Sequence, residues 1–109
     1  MIRVRKLKEV ADFISGLPDY DAAVCDRYIN LLQEFGWKLR DPFSEHPEGI
    51  YILRPSGKGG EYRIFYDFIK GEAFLVHAVH KKTDKLNRND IELAKKRIDL
   101  VKNGKFLSC

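Results

Sequence analysis

The chain has 109 residues, 44% hydrophobic and 12% aromatic, which makes one globular domain spanning residues 1–109 and leaves no room for a second core. Its formal charge of +4 favours a polyanionic partner, but 16 Asp and Glu stand against 20 Lys and Arg, so the placement of the charges has to decide. Cysteines only at 25 and 109, no apolar run near the roughly 18 residues of a spanning helix, and a start without a signal peptide's apolar core point to a cytoplasmic chain with no disulfides, no metal, no other cofactor and no membrane partner.

In chain order, a brief edge strand is expected at residues 2–5. Leu7, Val10, Ile14 and Leu17 then recur at helical spacing until Gly16 and Pro18 end the pattern. A longer helix is expected over residues 21–35, with Val24, Tyr28, Leu31, Leu32 and Phe35 as its buried stripe, Asp19 or Asp21 as its cap, and Gly36 after its last turn. Residues 40–49, with Pro42, Pro47 and Gly49, read as an irregular connection.

Beyond it the period changes to two. Strands are expected at 50–54, 61–68 and 73–82, the last two joined by a hairpin turn at Lys70, Gly71 and Glu72. A final helix over 87–102 buries Ile91, Ala94, Ile98 and Val101, with Asn87 or Asn89 as its cap. The expected fold is α+β: a small antiparallel sheet of three core strands and an N-terminal edge strand, with two helices before it and one after. Helices cover one sheet face and leave the other partly open.

Arginines on two of these strands and the run His80, Lys81, Lys82 at the end of the third can meet on one surface, which suits RNA. Such a surface supports RNA cleavage without a metal, by attack of the 2′-hydroxyl on the adjacent phosphate. That reaction needs a base, cations for the charge growing on the phosphoryl oxygens, and an acid for the leaving 5′-oxygen. Arg63 and Arg54 suit the charge role, because guanidinium pairs with phosphate oxygens and stays protonated. His80 is the acid–base candidate by its ordinary pKa; Lys81 or Lys82 qualifies if neighbouring cations depress its own. Lys58 and Lys95 complete the set of expected phosphate contacts.

Each has a plainer structural reading. Arg54 and Arg63 can pair with Glu48, Glu61 or Asp67 on a solvated strand face, and Lys95, Lys96 and Arg97 read as the solvated side of a helix. His77, in an apolar strand, reads as a hydrogen-bonded core histidine, and His46 as exposed and idle. The stretch SGKGG at 56–60 looks like a phosphate cradle but lacks the Walker spacing and joins two strands.

Together, ILR at 52–54, GEYRIFY at 60–66, LVHAVHKKT at 75–83, Asp90 with Ile91, AKKR at 94–97 and the helix end LLQEFG at 31–36 resemble the RelE/ParE toxin superfamily, in its phage-derived HigB-like branch. The resemblance implies the RelE-like fold and the toxin of a type II toxin–antitoxin system. Such a toxin is an endoribonuclease that cuts messenger RNA on the translating ribosome and is neutralised by an antitoxin, in HigB-like branches of helix-turn-helix type. It also implies that Arg63 contacts the scissile phosphate, that Lys82 is the basic position after the last strand, and that Arg54, His80 and Lys81 share the patch. Ile50 and Ile52 stand where RelE members carry lysines, and residues 105–109 lack the C-terminal Tyr or His of many relatives. A ParE-type gyrase inhibitor without nuclease activity and a catalytically silent RNA- or ribosome-binding module are the competing functions.

Overall fold

A computed structural model describes residues 1–104. Cys109 and the C-terminal departure from the toxin pattern lie outside the described residues.

The elements run β1 (Val4–Lys6), α1 (Lys8–Ser15), α2 (Asp19–Phe35), β2 (Ser44–Glu45), β3 (Tyr51–Leu53), β4 (Ser56–Gly57), β5 (Gly60–Ile69), β6 (Glu72–His80) and α3 (Arg88–Lys102). The sheet order is β1-β6-β5-β3-β2, with β4 folded onto β5. This is the expected α+β architecture: three core strands, an N-terminal edge strand, two helices before and one after. The core strands are antiparallel neighbours, whereas β1 lies parallel to β6 with Val4 opposite Ala73. The two two-residue strands β2 and β4 sit in stretches whose Pro and Gly content masks any alternation.

Local chemistry sets the boundaries. Lys70 and Gly71 both adopt positive φ, 51° and 80°, which is the geometry of a two-residue hairpin turn whose twist matches the flanking strands. Gly36, at φ 57°, ends α2. At α3 the Asn87 side chain accepts the Asn89 N–H and caps the helix. The cap expected on α2 is not made: Pro18 precedes the helix without a side-chain cap, and the Asp21 carboxylate is used elsewhere. The buried stripe of α2 is also rotated from expectation, to Val24, Cys25, Ile29 and Leu32, leaving Phe35 exposed and Tyr28 edge-on to the Phe43 ring.

Helices cover both faces of the sheet, which corrects the expectation of an open face. Val10 and Ile14 of α1 and Cys25, Ile29 and Leu32 of α2 pack on Leu53, Tyr62, Ile64, Tyr66 and Leu75. On the opposite face, Ile91, Ala94 and Ile98 of α3 pack on Ile50, Ile52, Phe65 and Val76. Ile64, Phe65 and Tyr66 are consecutive and all buried, the pattern of a strand covered on both sides, where each large side chain is worth about 1.5–3 kcal/mol. Ile50 and Ile52 therefore fill the α3 core, where a lysine would have no water.

A bulge interrupts the β5–β6 ladder. Phe65 faces His77 and Tyr66 faces Leu75, so Val76 is the extra residue. The bulge reverses the alternation. Phe74 and Val76 join the α3 face, while Ala78 and His80 lie on the α1 face, although unbroken alternation would put all four on one face. The Val76 carbonyl accepts a hydrogen bond at 2.8 Å from Arg97, which is thereby half-buried and part of the core scaffold.

Candidate functional site

The open ends of β5 and β6 place Tyr62 opposite His80 and Arg63 opposite Val79. Beyond His80 the chain turns through residues 81–87 into α3, and this turn lies against the strand ends. A cavity of about 640 Å³ forms there, walled by Phe13, Arg63, His80, Lys82, Lys85 and Asp90, among others. The three expected catalytic residues, Arg63, His80 and Lys82, therefore meet in one cavity. A smaller cavity of about 260 Å³ shares Arg63 and holds Arg54, Glu61, Lys81 and Asp84.

Arg63 is not the solvated strand-face residue of the plainer reading. It is only 8% exposed, and its guanidinium donates to the carbonyls of Thr83 at 2.9 Å, Asp84 at 3.0 Å and Lys85 at 3.4 Å. It fastens the turn after β6 to the middle of the sheet.

His80 is exposed, tilted against the Tyr62 ring at 5.1 Å, and its Nε2 lies 2.9 Å from the Gly59 carbonyl. Lys82 is exposed and has no partner among the described residues. Lys81 is different. Its ammonium sits 2.6 Å from Glu61 and 3.0 Å from Asp84, and the Glu61 hydrogen bond foremost, then that of Asp84, raises its pKa. The same contacts hold the Glu61 and Asp84 carboxyls below their usual range. Lys81 is thus a neutralised cation, the opposite of the depressed-pKa base that neighbouring cations would have made.

Of the expected phosphate contacts, Arg54 pairs with Asp41 at 2.9 Å rather than with Glu48, Glu61 or Asp67. Lys58 lies over the Tyr20 ring at 4.6 Å, in the loop next to His80. Lys95 is not brought to the site: it lines a separate shallow pocket with Gly49, Asp67 and Lys102. His77 is the hydrogen-bonded histidine expected, with Nε2 2.9 Å from Asp90, and His46 is exposed and stacked on Tyr51.

Two acidic residues that the sequence reading left out of the site belong to it. Asp90, in the first turn of α3, joins the wall of the larger cavity while bonding His77. Its place beside the Asn87 cap was legible, but its pairing across the sheet was not. Asp21, 1% exposed, accepts the N–H of Lys58 at 2.8 Å, the N–H of Gly59 at 2.9 Å and the Tyr62 hydroxyl. The Tyr62 hydrogen bond chiefly, with the backbone bonds of Gly59 and Lys58, holds its carboxyl below the usual range. The SGKGG loop does cradle an anion, and the anion is the protein's own.

Among the described residues no group of three or more His, Cys, Asp or Glu side chains is placed to hold a metal ion, and no helix is long and apolar enough to cross a membrane. No curated protein matches the chain. The family model described as phage-derived protein Gp49-like (DUF891) matches residues 12–99, from α1 through the cavity to α3. With the RelE-like α+β fold and the basic strand-end cavity inside that span, the chain belongs to the Gp49-like phage-derived family, a toxin-like family of the RelE/HigB type.

Proposed function

We propose that this protein is the toxin of a type II toxin–antitoxin system, an endoribonuclease that cuts messenger RNA on the translating ribosome and is silenced by a helix-turn-helix antitoxin. The observation that supports it is the meeting of Arg63, His80 and Lys82 in one open cavity of a toxin-like chain. In this reading the 2′-oxygen attacks the adjacent phosphorus as His80 takes its proton, and the bond to the 5′-oxygen breaks to leave a cyclic phosphate. Lys82, unpaired among the described residues, faces the growing phosphoryl charge and can supply the proton to the leaving oxygen. Arg63 adds the guanidinium donors that the 83–85 carbonyls leave unused. The ribosome would supply a pre-aligned substrate, so a sparse catalytic set can suffice.

One observation favours the runner-up, a silent RNA- or ribosome-binding module: three of Arg63's hydrogen bonds are already spent on backbone carbonyls. Expression without an antitoxin, followed by mapping of transcript ends, separates the readings. Codon-phased cuts that vanish in His80→Gln are the expected result. Growth arrest with a DNA damage response and intact transcripts would replace the nuclease with a gyrase inhibitor, and ribosome association with neither effect would leave the binding module.

A further inference from the structure

We infer that Asp21, from the first turn of α2, is a positioning residue: by gripping the 57–60 loop it fixes the His80 imidazole in the tautomer that carries its proton on Nε2. The inference rests on the reading of His80 as the acid–base group.

The grip leaves no slack. Added to Gly57, a Cβ would lie 2.3 Å from Asp21 Oδ1, and added to Gly59 it would lie 2.8 Å from Oδ2. Both distances are shorter than real side chains tolerate, so the loop closes on the carboxylate only because these residues are glycines. With the Lys58 and Gly59 N–H groups turned to Asp21, the Gly59 carbonyl is presented to His80, whose Nε2 lies 2.9 Å away. A carbonyl can only accept, so Nε2 must carry a proton, and the neutral ring keeps its lone pair on Nδ1. Gly60, at φ 121°, completes the seat: a Cβ there would stand 2.8 Å from His80 Nε2. Tyr62, whose hydroxyl donates to the same carboxylate, lies with its ring 5.1 Å from the imidazole. One buried anion thus sets the loop, the aromatic ring and the tautomer together. The glycine-rich loop is a bearing for His80, and its anion slot is filled.

The test uses the full chain labelled with ¹⁵N, with imidazole nitrogen shifts of His80 recorded at a pH where the ring is neutral, alongside single-turnover cleavage of a ribosome-bound message. The wild type is expected to show the Nε2–H pattern. Asp21→Asn, whose amide would turn N–H groups toward N–H donors, is expected to mix the tautomers and slow cleavage on the order of 10²-fold, the cost of a misplaced catalytic group. Tyr62→Phe removes one donor while keeping the ring, guards against an unfolded Asp21 variant, and is expected to shift the tautomer ratio part of the way. A wild-type His80 protonated on Nδ1, or folded variants with an unchanged tautomer, would overturn the inference. If the tautomer responds while the wild type cuts no RNA, the positioning stands and the nuclease reading falls.

Discussion

Arg63 has competing uses for one guanidinium. Of its five N–H donors, the carbonyls of residues 83–85 engage three, leaving the Nε–H and one Nη1–H for a phosphate oxygen. Arg63→Ala should therefore cost stability as well as activity: about 1–3 kcal/mol in urea unfolding, because the bonds are to a charged donor but the freed carbonyls can rehydrate. An unchanged midpoint would mean that the turn after β6 does not depend on Arg63. The two adjacent lysines should behave differently. Removing Lys82 should reduce the slope of log affinity for RNA against log salt by about one. Lys81, already held by Glu61 and Asp84, should change it much less. Equal changes would put Lys81 in the phosphate contact. Sequence alone showed the cationic run but could not tell its paired member from its free one, since the pairing carboxylates lie 20 residues before Lys81 and three after it.

At the scale of elements, the strands and helices were legible because their periodicities are strong, whereas their faces were less so. Alternation places Val76 and His80 on one face only if the strand is unbroken, and no residue type in β6 announces the bulge that separates them. The covered second face did leave a trace, in the uninterrupted apolar run Ile64, Phe65, Tyr66 and in Ile50 and Ile52. Those isoleucines also explain a departure from the RelE pattern. Ile52 is fully buried beneath α3, so Ile52→Lys should not restore a catalytic lysine but should destabilise the fold by roughly 3–5 kcal/mol, through the lost packing and a desolvated ammonium. A variant that melts like the wild type would show that α3 stands off the sheet. The SGKGG loop lacks the Walker spacing of a phosphate cradle, and the anion it does hold is not legible in sequence because Asp21 lies 37 residues before Lys58.

For the whole molecule, the excess of four positive charges is less informative than how charges are spent. Arg5 with Glu72, Arg54 with Asp41, Lys81 with Glu61 and Asp84, and Arg88 with Glu48 are ion-paired, whereas Lys82 and Lys85, which line the cavity, have no carboxylate partner among the described residues. The same pairing shapes stability against pH. Asp21, Glu61 and Asp84 all have native pKa values below their ordinary ones, so the unfolded chain binds protons first as acid is added. Their contribution is present above about pH 4 and drains away as pH falls through the depressed native values. Tyr62, through its hydrogen bond to Asp21, and Tyr66, through burial, are each pushed up to about 12. The native state therefore keeps these protons after the unfolded chain has lost them, and stability falls between about pH 10 and the native values. Urea midpoints should form a plateau bounded by an acid limb and an alkaline limb. In Asp21→Asn both limbs should become shallower: no carboxylate titrates at position 21, and Tyr62, without its main acceptor, has a native pKa closer to the unfolded one. An acid limb of unchanged steepness would mean that the buried carboxylate does not titrate with unfolding, and that the loop it grips is held by something else.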